Sequence, residues 1–200
     1  MQAGAGEDWA GVAHAPAAAP PRIASLVPSL TELLFALGLS EHVVARTGFC
    51  VHPREARRVP KIGGTKDPDL ARLRALAPTH LVVNVDENRR EVVDAARAFV
   101  PHVIVTHPET PEDNPRLYAL FGHVFGREGE AAALTALFAR ALADADRATR
   151  RACDGGGRFP ALEHLVGEAD AGAGVPGLAV LGGARHRRRL RVAPPAPDPK

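Results

Sequence analysis

The chain has 200 residues, and 25 Lys and Arg against 23 Asp and Glu leave a formal net charge of +2. Seven Phe, one Tyr, one Trp and two Cys are too few for an aromatic base-stacking platform or a disulfide framework. No uninterrupted apolar run reaches the roughly 18 residues of a membrane-spanning helix. The positive excess sits at the end: residues 1–149 carry 16 basic and 18 acidic side chains, residues 150–200 carry 9 and 5. The body is therefore not a nucleic-acid surface, and no nucleic-acid partner is expected.

Met1–Pro21 is rich in Ala, Gly and Pro and has no Lys or Arg. It lacks the positive start and the apolar stretch of a secretory signal. It reads as a disordered leader, and the chain as written reads as cytoplasmic. From Arg22 to about Arg150 the pattern changes to a short apolar run, a turn signal and an amphipathic helix, repeated. Arg22–Val27 reads as a strand and Pro28-Ser29 as the opening of a helix, with Ser29 and Glu32 in the spacing of a capping box. Leu30, Leu33, Leu34 and Leu37 form its buried stripe, and Gly38 ends it. His42–Arg46 is a second strand, followed by a loop over Thr47–Pro53 and another at Gly63–Lys66. Asp67 before Pro68 reads as an N-cap for a helix with Leu70, Leu73 and Leu76 inward.

His80–Val85 is a third strand, apolar enough to be covered on both faces. Asn88 and Glu91 repeat the capping spacing before a helix with Val92, Val93, Ala96 and Phe99 inward. Val103–Thr106 is a fourth strand. Two helices follow, from Pro111 to about Gly126 and from Glu128 to Arg150. Residues 151–200 hold nine Gly and six Pro and read as a largely disordered tail. Its weak signals are a helical turn at Ala161–Val166, a strand at Gly177–Leu181 and a basic run from Arg185 to Arg191.

Alternating strands and helices predict an α/β lobe of three layers around a parallel sheet, then a long helix. Ligands of such sheets bind outside the carboxyl ends of the strands. The segments there are Pro28-Ser29, Thr47–His52, Asn84–Arg90 and Thr106–Glu109. Asp86, Glu87, Arg89 and Arg90 read equally as a ligand surface and as the charged start of a helix. Cys50, His52 and His107 are candidate metal ligands, although a C-x-H spacing alone is a weak signal. No nucleophile elbow, P-loop or dinucleotide fingerprint occurs, and no enzymatic activity is expected.

Three stretches carry a family resemblance: Arg22–Gly38 (RIASLVPSLTELLFALG) with Val44–Gly48, Pro60–Thr65 (PKIGGT) leading to Asp69-Leu70, and Leu76–Val83 (LAPTHLVV). Together they resemble the helical-backbone receptors (class III, TroA-like periplasmic-binding proteins), the substrate-binding components of ABC importers for vitamin B12, iron–siderophore complexes and haem. The resemblance implies an N-terminal ligand-binding lobe over 22–127 and a connecting helix over 128–150. A degenerate tail over 151–200 would then replace the second lobe, making the chain a truncated product. It implies a tetrapyrrole or metal chelate as ligand, cobalamin or a ferric chelate, with nothing bound covalently. Candidate ligand-binding residues are Ser29, Phe49, Gly64, Thr65, Asn84, Asp86, Asn88 and Arg89. Of the positions matching the family's aromatic wall, Phe49 is aromatic while Thr65 and Asn84 are not. Docking on an ABC permease uses a carboxylate where this chain has Ala71, with Asp67 and Asp69 nearby. The family role would place the protein in the periplasm, with a different start. Its rivals are a small soluble metal-binding protein and a non-functional remnant.

Overall fold

The computed structural model describes residues 6–154, with side-chain surroundings through Arg151. The expectations made for the chain beyond these residues lie outside the described part. Four short strands, β1 (Ile23–Ser25), β2 (Val43–Arg46), β3 (His80–Asn84) and β4 (His102–Thr106), form one parallel sheet in the order β2-β1-β3-β4. The helices are α1 (Pro28–Ala36), α2 (Leu70–Ala75), α3 (Arg90–Arg97), α4 (Asn114–Phe125) and α5 (Glu128–Asp154).

Adjacent residues of a strand point to opposite faces, and the apolar runs serve two cores accordingly. Ile23, Val43, Val82 and Ile104 pack with the leucines of α1 and with Leu117, Phe121 and Leu134 of α4 and α5. Ala24, Ala45, Leu81, Val83 and Val103 pack with Ile62, Leu73 and Ala96 on the side of α2 and α3. Three layers result, as the unbroken apolar strands require. The expected stripe of α1 is fully buried: Leu30, Leu33, Leu34 and Leu37 are each at most 1% exposed. Gly38 closes that helix in the left-handed region at φ 71°.

The helix starts differ from their sequence signatures. Pro28 occupies the first turn of α1 and Val27 the cap position, so Ser29 lies inside the helix and forms no capping box. The turn is held instead by Thr31, whose Oγ1 lies within hydrogen-bond reach of Ser25 Oγ (2.8 Å) and the Val27 carbonyl (3.0 Å), with its one proton to give between them. Asp69, rather than Asp67, caps α2, accepting from the Arg72 amide at 2.9 Å. Asn88 does not cap α3, which begins after Arg89, because both ends of its amide are engaged elsewhere.

The leader is also corrected. Its described residues form a clip on the outer edge of β4. Trp9 N–H donates to the Val105 carbonyl (3.0 Å), the Val105 N–H donates to Asp8 Oδ2 (3.0 Å), and Ala17 N–H donates to the Val124 carbonyl (2.8 Å). Composition alone hides this: two buried polar residues, Asp8 and His14, together with Trp9 anchor an otherwise Ala- and Pro-rich stretch.

Candidate ligand-binding site

All four strands run the same way, so their carboxyl ends open onto one edge of the sheet. From β1 the chain steps outward to β2 on one side, then crosses back to β3 on the other. The topological switch point therefore lies between β1 and β3, where such sheets leave a crevice. Ser29, half-buried on the first turn of α1, stands after β1; Asn84, also half-buried, ends β3.

The loop after β2 is tightly built. Arg46 is buried and its guanidinium donates to the carbonyls of Thr47 (2.9 Å) and Arg57 (3.0 Å), joining the two ends of the loop. Gly48 N–H donates to the Gly63 carbonyl at 2.7 Å. On this anchored loop Phe49 is 67% exposed, and Val85 after β3 is 53% exposed. An aromatic ring and a branched aliphatic side chain are thus held in solvent along the strand-end edge.

A second tie joins the loop at Gly64-Thr65 to the end of β3. The buried Asn88 side chain donates from Nδ2 to the Thr65 carbonyl (2.8 Å), and its Oδ1 accepts the Asn84 N–H (2.9 Å). Asn84 Oδ1 in turn accepts the Asp86 N–H at 2.8 Å. Thr65 and Asn88, both only 8% exposed, are framework of the site more than wall. Gly64 faces the Asp67 carboxylate so closely that a Cβ there would collide with Oδ1. Asp86 and Arg89 are exposed.

Cys50, His52 and His107 do not assemble. Cys50 is buried against Thr47 Oγ1 at 3.1 Å, His52 is exposed, and His107 Nε2 lies 3.4 Å from Asp86 Oδ2. Among the described residues no group of three or more His, Cys, Asp or Glu side chains comes together to hold a metal ion. Their loops end different strands and carry the thiol inward, which C-x-H spacing could not reveal.

Three residues of this edge carry little or no signal of their place in the sequence. Glu32 has the spacing of a capping partner; it is half-buried on α1, where burial pushes its carboxyl upward and His52 opposes the shift. Val85 continues the apolar run of the third strand, yet it falls one position past the end of β3. Arg46 likewise gave no signal beyond ending a strand.

Comparison with known proteins follows the same lines. A family model described as "Periplasmic binding protein" matches residues 23–188. The vitamin B12-binding protein of Photorhabdus laumondii is 29% identical over 99 residues, covering 50% of this chain and 36% of that protein. The vitamin B12-binding protein of Pectobacterium carotovorum is 26% identical over 98 residues, 49% of this chain and 36% of that protein. Among solved structures, the apo periplasmic heme-binding protein RhuT from Roseiflexus sp. RS-1 superposes with a TM-score of 0.60 at 26% identity, covering 66% of this chain and 51% of that one. The vitamin B12-binding protein BtuF of Vibrio cholerae gives 0.56 at 20% identity, over 62% and 49%, a likeness of fold alone. The chain thus spans about a third of the length of these curated relatives. With a parallel α/β lobe, a long helix after it and a family match over most of its length, the chain belongs to the Periplasmic binding protein family.

Proposed function

We propose that residues 22–127 form one ligand-binding lobe of a substrate-binding protein for a tetrapyrrole or metal chelate, cobalamin, haem or a ferric siderophore. The observation that carries this reading is the exposed Phe49, held by a clamped loop on the edge where all four strands end. Phe49 and Val85 supply apolar contact to a flat ring system, and Ser29, Asn84, Asp86 and Arg89 supply polar contacts to its periphery. Asn88, Thr65 and Gly64 hold the two central loops in register. The metal travels inside the ligand; the protein need not provide a coordination set of its own.

In this reading the partner is an ABC permease in the periplasmic setting of the family. Ala71 at the docking position offers no carboxylate, and Asp69 is engaged as the α2 cap, so exposed Asp67 is the acidic group left for that contact.

Isothermal titration with cyanocobalamin, ferric haem and a ferric siderophore tests the proposal. One lobe supplies part of a two-lobed cleft, and about −4 kcal/mol corresponds to a dissociation constant near 1 mM. Saturable binding at or below about 1 mM, weakened at least fivefold by Phe49→Ala, is expected. No saturable binding of any of the three ligands refutes the reading.

A further inference from the structure

One corner of the strand-end edge is far more positive than the rest of the lobe. Residues 46–74 hold eight basic and three acidic side chains, whereas residues 1–149 together hold 16 and 18. The corner lies on the outer side of β2. There the segment 60–62 pairs with the end of the strand: the Arg46 N–H donates to the Pro60 carbonyl (3.0 Å), and the Ile62 N–H donates to the Arg46 carbonyl (2.9 Å). Arg46 and Lys61 are thereby partners across a parallel bridge. Like charges at paired positions repel unless an anion stands between them, and no anion of the described residues does so. Arg46 is only 8% exposed, its guanidinium meets carbonyls alone, and its Nε has no partner. A buried arginine ordinarily comes with a carboxylate. Yet neither Arg46 nor the exposed Lys61, Lys66, Arg54, Arg57 and Arg58 enters an ion pair among the described residues. Of the three acids in this stretch, Asp69 is committed to the α2 cap, and Glu55 and Asp67 are exposed and paired with none of these cations.

Lys61 also stands beside the loop that carries the exposed ring. Its side chain lies across Gly48: Cδ is 3.4 Å and Nζ 4.0 Å from the point where a Cβ on that glycine would stand. Gly48 immediately precedes Phe49. The clamped loop therefore presents an apolar face with a free ammonium next to it. We propose that this corner selects ligands by charge, with Lys61 as a specificity-determining residue: the lobe prefers a ring or chelate whose periphery carries carboxylates over one rimmed by uncharged amides. The inference rests on the ligand-binding reading above and narrows it. A flat ligand seated on Phe49 would bring its edge toward Lys61. A carboxylate there gains an ion pair with the ammonium. It also gains the field of the buried Arg46, which solvent and salt screen less than a surface charge. An amide gains neither. Ferric haem, with two propionates, has the chemistry this corner favours; cyanocobalamin, edged mainly by amides, has less of it.

Ferric haem, its dimethyl ester and cyanocobalamin separate charge from shape, because the ester keeps the porphyrin ring and loses both carboxylates. Each is titrated into the full chain and followed by its visible absorbance. Haem should bind at least about tenfold more tightly than the ester or cyanocobalamin in about 20 mM NaCl, and the gap should shrink in about 500 mM NaCl. Lys61→Gln should weaken haem binding about two- to fivefold and leave the ester unchanged, while Lys61→Arg should keep most of the preference. Lys61 is exposed, so these substitutions spare the fold. An ester or cyanocobalamin that binds as tightly as haem overturns the proposal and leaves ligand binding itself standing, as does a Lys61→Gln variant that binds haem like the unaltered chain. No saturable binding of any of the three also overturns it, and is the one result that counts against the ligand-binding reading as well.

Discussion

Removing the Asn88 side chain should loosen the candidate site from beneath. Its amide is buried and makes two hydrogen bonds of 2.8 and 2.9 Å, one to each of two loops separated by about twenty residues of sequence. The partners fix its orientation, because a backbone N–H must meet Oδ1 and a carbonyl must meet Nδ2. In Asn88→Ala, the Thr65 carbonyl and the Asn84 N–H both lose their side-chain partner. A buried polar group left unsatisfied costs about 1–3 kcal/mol. The Asn84 amide is only partly buried and can recruit water, so the sum should be about 2–4 kcal/mol. Asn88→Asp keeps the acceptor and loses the donor to Thr65, leaving a carboxylate oxygen against a carbonyl; it should cost at least as much as losing that one bond, about 1–3 kcal/mol. Urea unfolding followed by circular dichroism measures both. Ligand affinity should fall in the folded variants as well, since Gly64-Thr65 and the end of β3 lose their common register. A loss below about 0.5 kcal/mol for Asn88→Ala with unchanged affinity would show that the two loops are positioned independently, and the framework role given to Asn88 would be wrong.

Asp69→Ala removes the only side-chain cap of the short helix α2 and should cost about 1 kcal/mol by urea titration, whereas Asp67→Ala should leave that helix intact. Leu33→Ala empties a fully buried site under α1 and should cost about 2–5 kcal/mol in the same measurement. Phe49→Ala, at an exposed ring, should leave stability within about 0.5 kcal/mol while weakening ligand binding in calorimetry. Stability should also fall on mild acidification. His80 is neutral in the fold down to about pH 4, whereas in the unfolded chain it takes up a proton near pH 6.5. The unfolded state therefore gains protons first, with no effect above pH 6.5 and a loss of about 2 kcal/mol between pH 7 and pH 5. His80→Gln should flatten that dependence in urea titrations at the two pH values.

The layers of the fold were legible because they rest on periodicity. Ile23, Leu81, Val82 and Ile104 sit in runs apolar on both sides, and such runs are stable only between two layers of helices. Boundaries were less legible where two local signals competed. Ser29 and Asp67 both carry capping chemistry, but the cap positions fall at Val27 and Asp69, each two residues away. The long-range ties left almost no trace. Asn88 to Thr65, Arg46 to Arg57 and Asp8 to Val105 join segments 23, 11 and 97 residues apart. In each, an ordinary polar residue became structural only because the fold carried a backbone group to it.

This division explains why the edge can be both firm and available. The groups that hold the loops in place, Arg46, Thr47, Thr65 and Asn88, are all at most 8% exposed. The groups turned outward, Phe49, Val85, Asp86 and Arg89, contribute little to holding the loops. Two large apolar side chains standing in water along the same edge do nothing for the stability of the lobe, since neither joins its cores. Their exposure is what a surface built to cover something else requires. Substitutions in the first set should therefore lower stability and binding together, and substitutions in the second should lower binding alone; a Phe49→Ala variant that unfolds as readily as Asn88→Ala would erase that distinction.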